Sequence, residues 1–89
     1  MNKQELQHRL EQLHRELQQI ETVDERERQL LKSLITDINK LIEAGASDQR
    51  HTDRLGEGLK EGIELFEASH PQATMLMGQV IDALAKIGI

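Results

Sequence analysis

Leucines stand at positions 6, 10, 13 and 17, followed by Ile20, so the apolar residues recur at intervals of four, three, four and three. That spacing keeps every one of them on a single stripe of an α-helix; a strand would scatter them over both faces. Helical spacing then governs the rest of the chain. Leu30, Leu31, Leu34, Ile35, Ile38, Leu41 and Ile42 make a wide stripe. Leu55, Leu59, Ile63 and Phe66 make a third, and Ala73, Leu76, Met77, Val80, Ile81, Leu84 and Ile87 a fourth. The expected fold is all-α, with helices at about 2–21, 23–43, 53–68 and 71–87.

Punctuation between the stripes sets the order of the elements. Asn2 is a candidate N-cap, with Glu5 three residues on completing a capping box. Thr22 and Glu25 repeat the arrangement at the second helix. Gly45 suits the end of that helix, since glycine accepts the left-handed conformation of a C-cap. Residues 44–52 are small and polar and read as a loop. Ser69-His70-Pro71 forms a corner: proline fits the first turn of a helix, and Ser69 or His70 can cap it. Gly88 closes the fourth helix. Short breaks favour antiparallel neighbours. The chain therefore reads as one domain over residues 1–89, a helical hairpin extended by a second helical pair into a small bundle.

Eighty-nine residues bury only a thin core, and with Phe66 as the single aromatic that core must be aliphatic. No cysteine is present to form a disulfide or offer a thiolate. Sixteen acidic and eleven basic residues give a net charge of −5, with the two signs interspersed. Nucleic-acid binders concentrate cations on one face, so this surface argues against that role. The N-terminus MNKQELQHRL lacks the apolar core of a signal peptide, and no run approaches a membrane span. A cytoplasmic protein with no membrane partner is expected. The charges are also uneven along the chain. Twelve of the first thirty residues are charged, against only Asp82 and Lys86 from Pro71 to Ile89. A helix apolar nearly all round has to be covered on most sides.

Few side-chain patterns suggest chemistry. Glu11 and His14 match the Glu-x-x-His unit of di-iron bundles, but there the ligands point into the core. Here Leu10, Leu13 and Leu17 hold the inward stripe, so a solvated pair is the better reading. Glu57, Glu61 and Glu64 share a helix face and read as a solubilising surface. Gly56, Gly58 and Gly62 follow no strand and precede no Gly-Lys-Ser/Thr, which rules out a phosphate loop. Gly58 and Gly62 lie one turn apart, and they either suit close approach of a neighbouring helix or simply weaken the third helix. His70 has only the adjacent Ser69 as a nucleophile, a poor geometry for a relay.

Ala68-Ser69-His70-Pro71, the stretch Ile81-Asp82-Ala83-Leu84 and the Gly88-Ile89 end, behind a Leu-rich first helix, carry a likeness. With them the chain resembles, over essentially its whole length, a family catalogued as domain of unknown function 4404. The resemblance implies a small stand-alone bacterial protein. It implies no activity, cofactor or catalytic residue.

The sequence thus points to a non-enzymatic interaction or assembly module, with no catalytic residue, cofactor or metal site. Its candidate interaction residues are Leu6, Leu10, Leu13 and Leu17 on the first helix, with Phe66, Met77, Val80, Leu84 and Ile87 towards the C-terminus. Ser69, His70 and Pro71 form the structural corner. A homodimer burying the fourth helix and part of the leucine stripe is expected, with another protein as a further candidate partner. The flanking charges favour antiparallel pairing of the first helix, in trans or in cis, because a parallel pair opposes Glu16 and Glu21. Two alternatives stand behind this. A nucleic-acid-associated regulator would draw on Arg26, Arg28, Lys32, Arg50 and Arg54, and a metal-dependent enzyme on Glu11, His14 and the carboxylates of the third helix.

Overall fold

A computed structural model of the chain describes residues 3–22, 24–44 and 49–87. Four helices follow one another: α1 (Lys3–Gln18), α2 (Glu25–Ala44), α3 (Gln49–Phe66) and α4 (Pro71–Ile87). No strand occurs among the described residues. Each helix packs on its two neighbours in a ring, α1 on α2 and α4, α3 on α2 and α4. Two ion pairs fix the α2–α3 direction. Arg26 at the start of α2 faces Glu61 near the end of α3 (3.7 Å), and Asp37 further along α2 faces Arg54 near the start of α3 (3.6 Å). The helices are therefore antiparallel, and the bundle measures 35 × 19 × 19 Å.

The core is a set of interleaved stripes. Leu6, Leu10, Leu13 and Leu17 of α1 are buried, as are Leu31, Leu34, Ile38 and Leu41 of α2. Helix α3 contributes Leu55, Leu59 and Phe66, and α4 contributes Ala73, Met77, Val80 and Ala83. The outer members of each sequence stripe, such as Leu30, Ile35, Ile42, Ile63, Ile81 and Leu84, flank this core half-buried. On α3 the core register runs 55, 59, 62, 66, so Gly62 and not Ile63 holds the third inward position. The gap is filled from outside α3. A Cβ at Gly62 would lie 3.0 Å from Met77 Sδ and 3.4 Å from Leu34 Cδ1, and one at Gly58 would lie 3.0 Å from Leu34 Cδ2. These glycines let α3 sit close to both neighbours.

Several boundaries differ from those expected. Helix α3 begins at Gln49, so residues 49–52 of the anticipated 44–52 loop are helical, and Ala44 closes α2. A polar composition hid the start because Thr52 is an inward position, buried and in register with Leu55. The cap of α2 is Asp24 and not Thr22: its Oδ1 accepts the Arg26 and Glu27 amides at 2.8 and 3.2 Å. A carboxylate nearer the helix both satisfies unpaired N–H groups and complements the helix dipole. Helix α1 ends at Gln18, where the Gln19 and Ile20 amides turn back to the Glu16 and Leu17 carbonyls. Helix α3 ends at Phe66, whose carbonyl accepts both the Ser69 and His70 amides (3.2 and 2.7 Å). The caps expected at Asn2, Gly45 and Gly88 lie outside the described residues.

Candidate interaction surface

The fold sorts the sequence-predicted residues into inside and outside. Leu6, Leu10, Leu13 and Leu17 are at most 3% exposed and belong to the common core, α1 packing on α2 and α4 of the same chain. The leucine stripe is thus closed in cis. Phe66, Met77 and Val80 are fully buried, and Leu84 is half-buried against the core. The side chain of Ile87 lies outside the described residues. At the corner, Pro71 takes the first helical position of α4 and the His70 carbonyl accepts the Thr74 amide at 3.2 Å. The His70 ring lies against Phe66, with centroids 5.8 Å apart and planes tilted by 60°.

Glu11 is exposed and His14 half-buried beside Arg15 and Ile42 on the surface. Among the described residues no group of three or more His, Asp or Glu could hold a metal ion. Arg26 and Arg28 each face a carboxylate, Glu61 and Glu25 respectively. Among the described residues, no helix is long and apolar enough to cross a membrane.

What remains is the outer face of α4. Arg9 on α1 donates to Gln79 Oε1 at 2.8 Å, which orients one flank of α4 towards α1. Met77 against Gly62 orients the opposite flank towards α3. The side left facing solvent carries Thr74, Met75, Gly78, Asp82 and Ala85, with Ile81 half-buried at its edge. Met75 is 53% exposed, the one large hydrophobic so exposed among the described residues. Nothing lies within 4 Å of where a Gly78 Cβ would be, so this glycine serves no contact inside the chain. The other three outer faces are studded with charge, as at Glu5, Glu11 and Arg15, at Arg28, Lys32 and Lys40, and at Glu57, Lys60 and Glu64.

A family model, Domain of unknown function (DUF4404), matches residues 6–89. The chain belongs to this family. No curated protein and no solved structure matches it. In this DUF4404 chain the matched stretch takes in the whole core, from Leu6 to Ala83, and the α4 outer face as well. Sequence reasoning located the importance of α4 from its missing charges. It assigned Met77, Val80 and Leu84 to contact and passed over Gly78 and Ala85. The signal that separates them is register: the inward stripe of α4 runs 73, 77, 80, 83 and leaves 74, 78, 82, 85 outside.

Proposed function

We propose that this chain is a non-enzymatic assembly module that pairs the outer face of α4 with the same face of a second copy. The observation that carries the reading is the contrast between that face and the rest of the bundle: an exposed Met75, an open Gly78 and one carboxylate, Asp82, where the other helices show dense mixed charge. A glycine inside a helix costs about 1 kcal/mol relative to alanine. Gly78 returns nothing for that cost within the monomer, whereas at a helix crossing it lets two backbones approach. A two-fold axis through Gly78 sets Met75 opposite Ile81 of the partner subunit and Thr74 opposite Asp82 of the partner subunit. Apolar then meets apolar, and a hydroxyl meets a carboxylate. Such an interface is isologous, the commonest arrangement of small homo-oligomers. Its setting in this reading is a bacterial cytoplasm, which suits a cysteine-free chain.

Sedimentation equilibrium over a wide dilution series tests it, with refractive-index detection because the chain has no Trp or Tyr. The expected result is twice the 10.2 kDa chain mass for the parent protein. Met75→Glu returns the single-chain mass with an unchanged helical circular-dichroism spectrum, because Met75 is exposed in the monomer. A parent protein that stays monomeric at every concentration overturns the proposal, and so does a Met75→Glu dimer.

A further inference from the structure

On a different side of the bundle, α2 and α3 border an open cleft of about 300 Å³. Its lining includes Lys32, Lys40 and Arg54, the hydroxyl residues Ser33 and Thr36, and a single carboxylate, Asp37. In a protein of net charge −5 this is a local surplus of two positive charges, three cations less one carboxylate. The arrangement follows from helix geometry. Lys32 and Lys40 stand one turn before and one turn after Thr36, and so flank it on one face of α2. Arg54 enters from α3.

Arg54 is held in a particular way. Asp37 Oδ2 lies 3.6 Å from Arg54 Nε. The Asp37 side chain is only 11% exposed and that of Arg54 is 68% exposed. The carboxylate thus engages the Nε edge of a largely exposed guanidinium that lines the cleft, and it does not occupy the two terminal Nη groups, the fork that recognises oxyanions. Lys32 and Lys40 form no ion pair with a described residue. Two uncommitted ammonium groups, an oriented guanidinium and two hydroxyls offer more donors than the two oxygens of a carboxylate can use. They match the three terminal oxygens of a phosphate.

We propose that this cleft binds a phosphate-class dianion, with Arg54 as the bidentate contact, Lys32 and Lys40 as flanking charges, and Asp37 as the residue that positions Arg54. The ligand is either free phosphate or a phosphomonoester on a partner. The site does not rest on the α4 pairing, since no residue of the α4 face lines it.

Amide and arginine-side-chain NMR shifts of the full chain test it, titrated with inorganic phosphate and, at matched ionic strength, with sodium chloride. The signals of Ser33, Thr36 and Arg54 Nε are expected to move with phosphate and not with chloride. A short phosphoserine peptide and its unphosphorylated form separate the two sources: shifts by the phosphorylated form alone identify a carried phosphomonoester, and shifts by inorganic phosphate alone identify the free ion. Arg54→Gln leaves one amide donor in place of the two-pronged fork and weakens binding about tenfold, the size of one lost charge-assisted hydrogen bond. Asp37→Asn decides the positioning role. It makes the cleft more positive, so plain charge attraction predicts tighter binding, whereas loss of the oriented fork predicts weaker binding, and weaker binding is expected. Equal shifts with chloride, retained affinity in Arg54→Gln, or tighter binding in Asp37→Asn overturns the assignment. Circular dichroism checks that both variants remain folded.

Discussion

Alanine substitution at the helical glycines separates packing from propensity, because Gly56 and Gly78 are open whereas Gly62 is tightly enclosed. Nothing lies within 4 Å of a Cβ at Gly56 or Gly78. Alanine there is expected to stabilise by about 1 kcal/mol each through backbone entropy alone, which raises Tm by about 4–8 °C in a domain of this size. At Gly62 the same gain is opposed. The new Cβ meets Met77 Sδ at 3.0 Å, Met77 Cε at 3.3 Å and Leu34 Cδ1 at 3.4 Å. Both neighbours are buried, Met77 at 0% and Leu34 at 1% exposure, so neither can swing into solvent. Overpacking a filled core costs about 1–3 kcal/mol. Set against the propensity gain, Gly62→Ala is expected to lie between neutral and about 2 kcal/mol destabilising. Thermal and urea melts followed at 222 nm, at low protein concentration, measure all three. The reasoning is refuted if Gly62→Ala melts as high as Gly78→Ala, because the close approach of α3 to α2 and α4 would then impose no constraint.

Further expectations follow from the caps and the core. Asp24→Ala removes two hydrogen bonds to the first turn of α2 and is expected to cost about 1 kcal/mol in urea unfolding. Thr22→Ala, two positions too early to cap, is expected to leave the urea midpoint near that of the parent. Leu34→Ala opens a cavity beneath Gly58 and Gly62 and is expected to cost about 2–5 kcal/mol, enough to leave the chain largely unfolded by calorimetry. Val80→Glu places a carboxylate at a fully buried position and is expected to abolish the cooperative melt, whereas Ala85→Glu on the outer face leaves it intact.

Much of the fold was legible because apolar spacing dictates it. The α1 stripe at 6, 10, 13 and 17 is the buried stripe in the structure, and α4 runs over the residues its pattern indicated. Where the reading slipped, side-chain chemistry was being used as a proxy for register. The start of α3 looked like loop because 49–53 is polar, yet it needs only Thr52 facing inward to continue the helix. The stripe pattern puts Ile63 in the core of α3 and leaves Gly62 open between close approach of a neighbour and plain weakness, because propensity is local and cannot see Met77 and Leu34 arriving from neighbouring helices. Which α4 residues face out depended on the same information: α4 is apolar on both sides, so composition alone could not choose between 73-77-80 and 74-78-81. The two contacts that decide it, Arg9 with Gln79 and Gly62 with Met77, are tertiary.

The two surface proposals can fail independently, and their geometry couples them if both hold. In the ring of helices α4 lies diagonally opposite α2, so pairing through the α4 outer face leaves the α2–α3 cleft of each subunit open. A dimer then carries two phosphate sites held in fixed relation. For free phosphate this changes nothing, and Met75→Glu is expected to bind inorganic phosphate with the affinity of the parent. For a ligand bearing several phosphomonoesters the second contact becomes intramolecular, and avidity can exceed single-site affinity by about 10²-fold without any new contact. Phosphoserine peptide immobilised densely on a sensor surface is therefore expected to retain the parent protein far longer than Met75→Glu, while sparse immobilisation equalises them. Equal retention at high density, from a parent shown to be dimeric and able to bind phosphate, would mean that the two clefts point in directions no common surface can reach. The assembly would then have to present its two ligands to opposite sides.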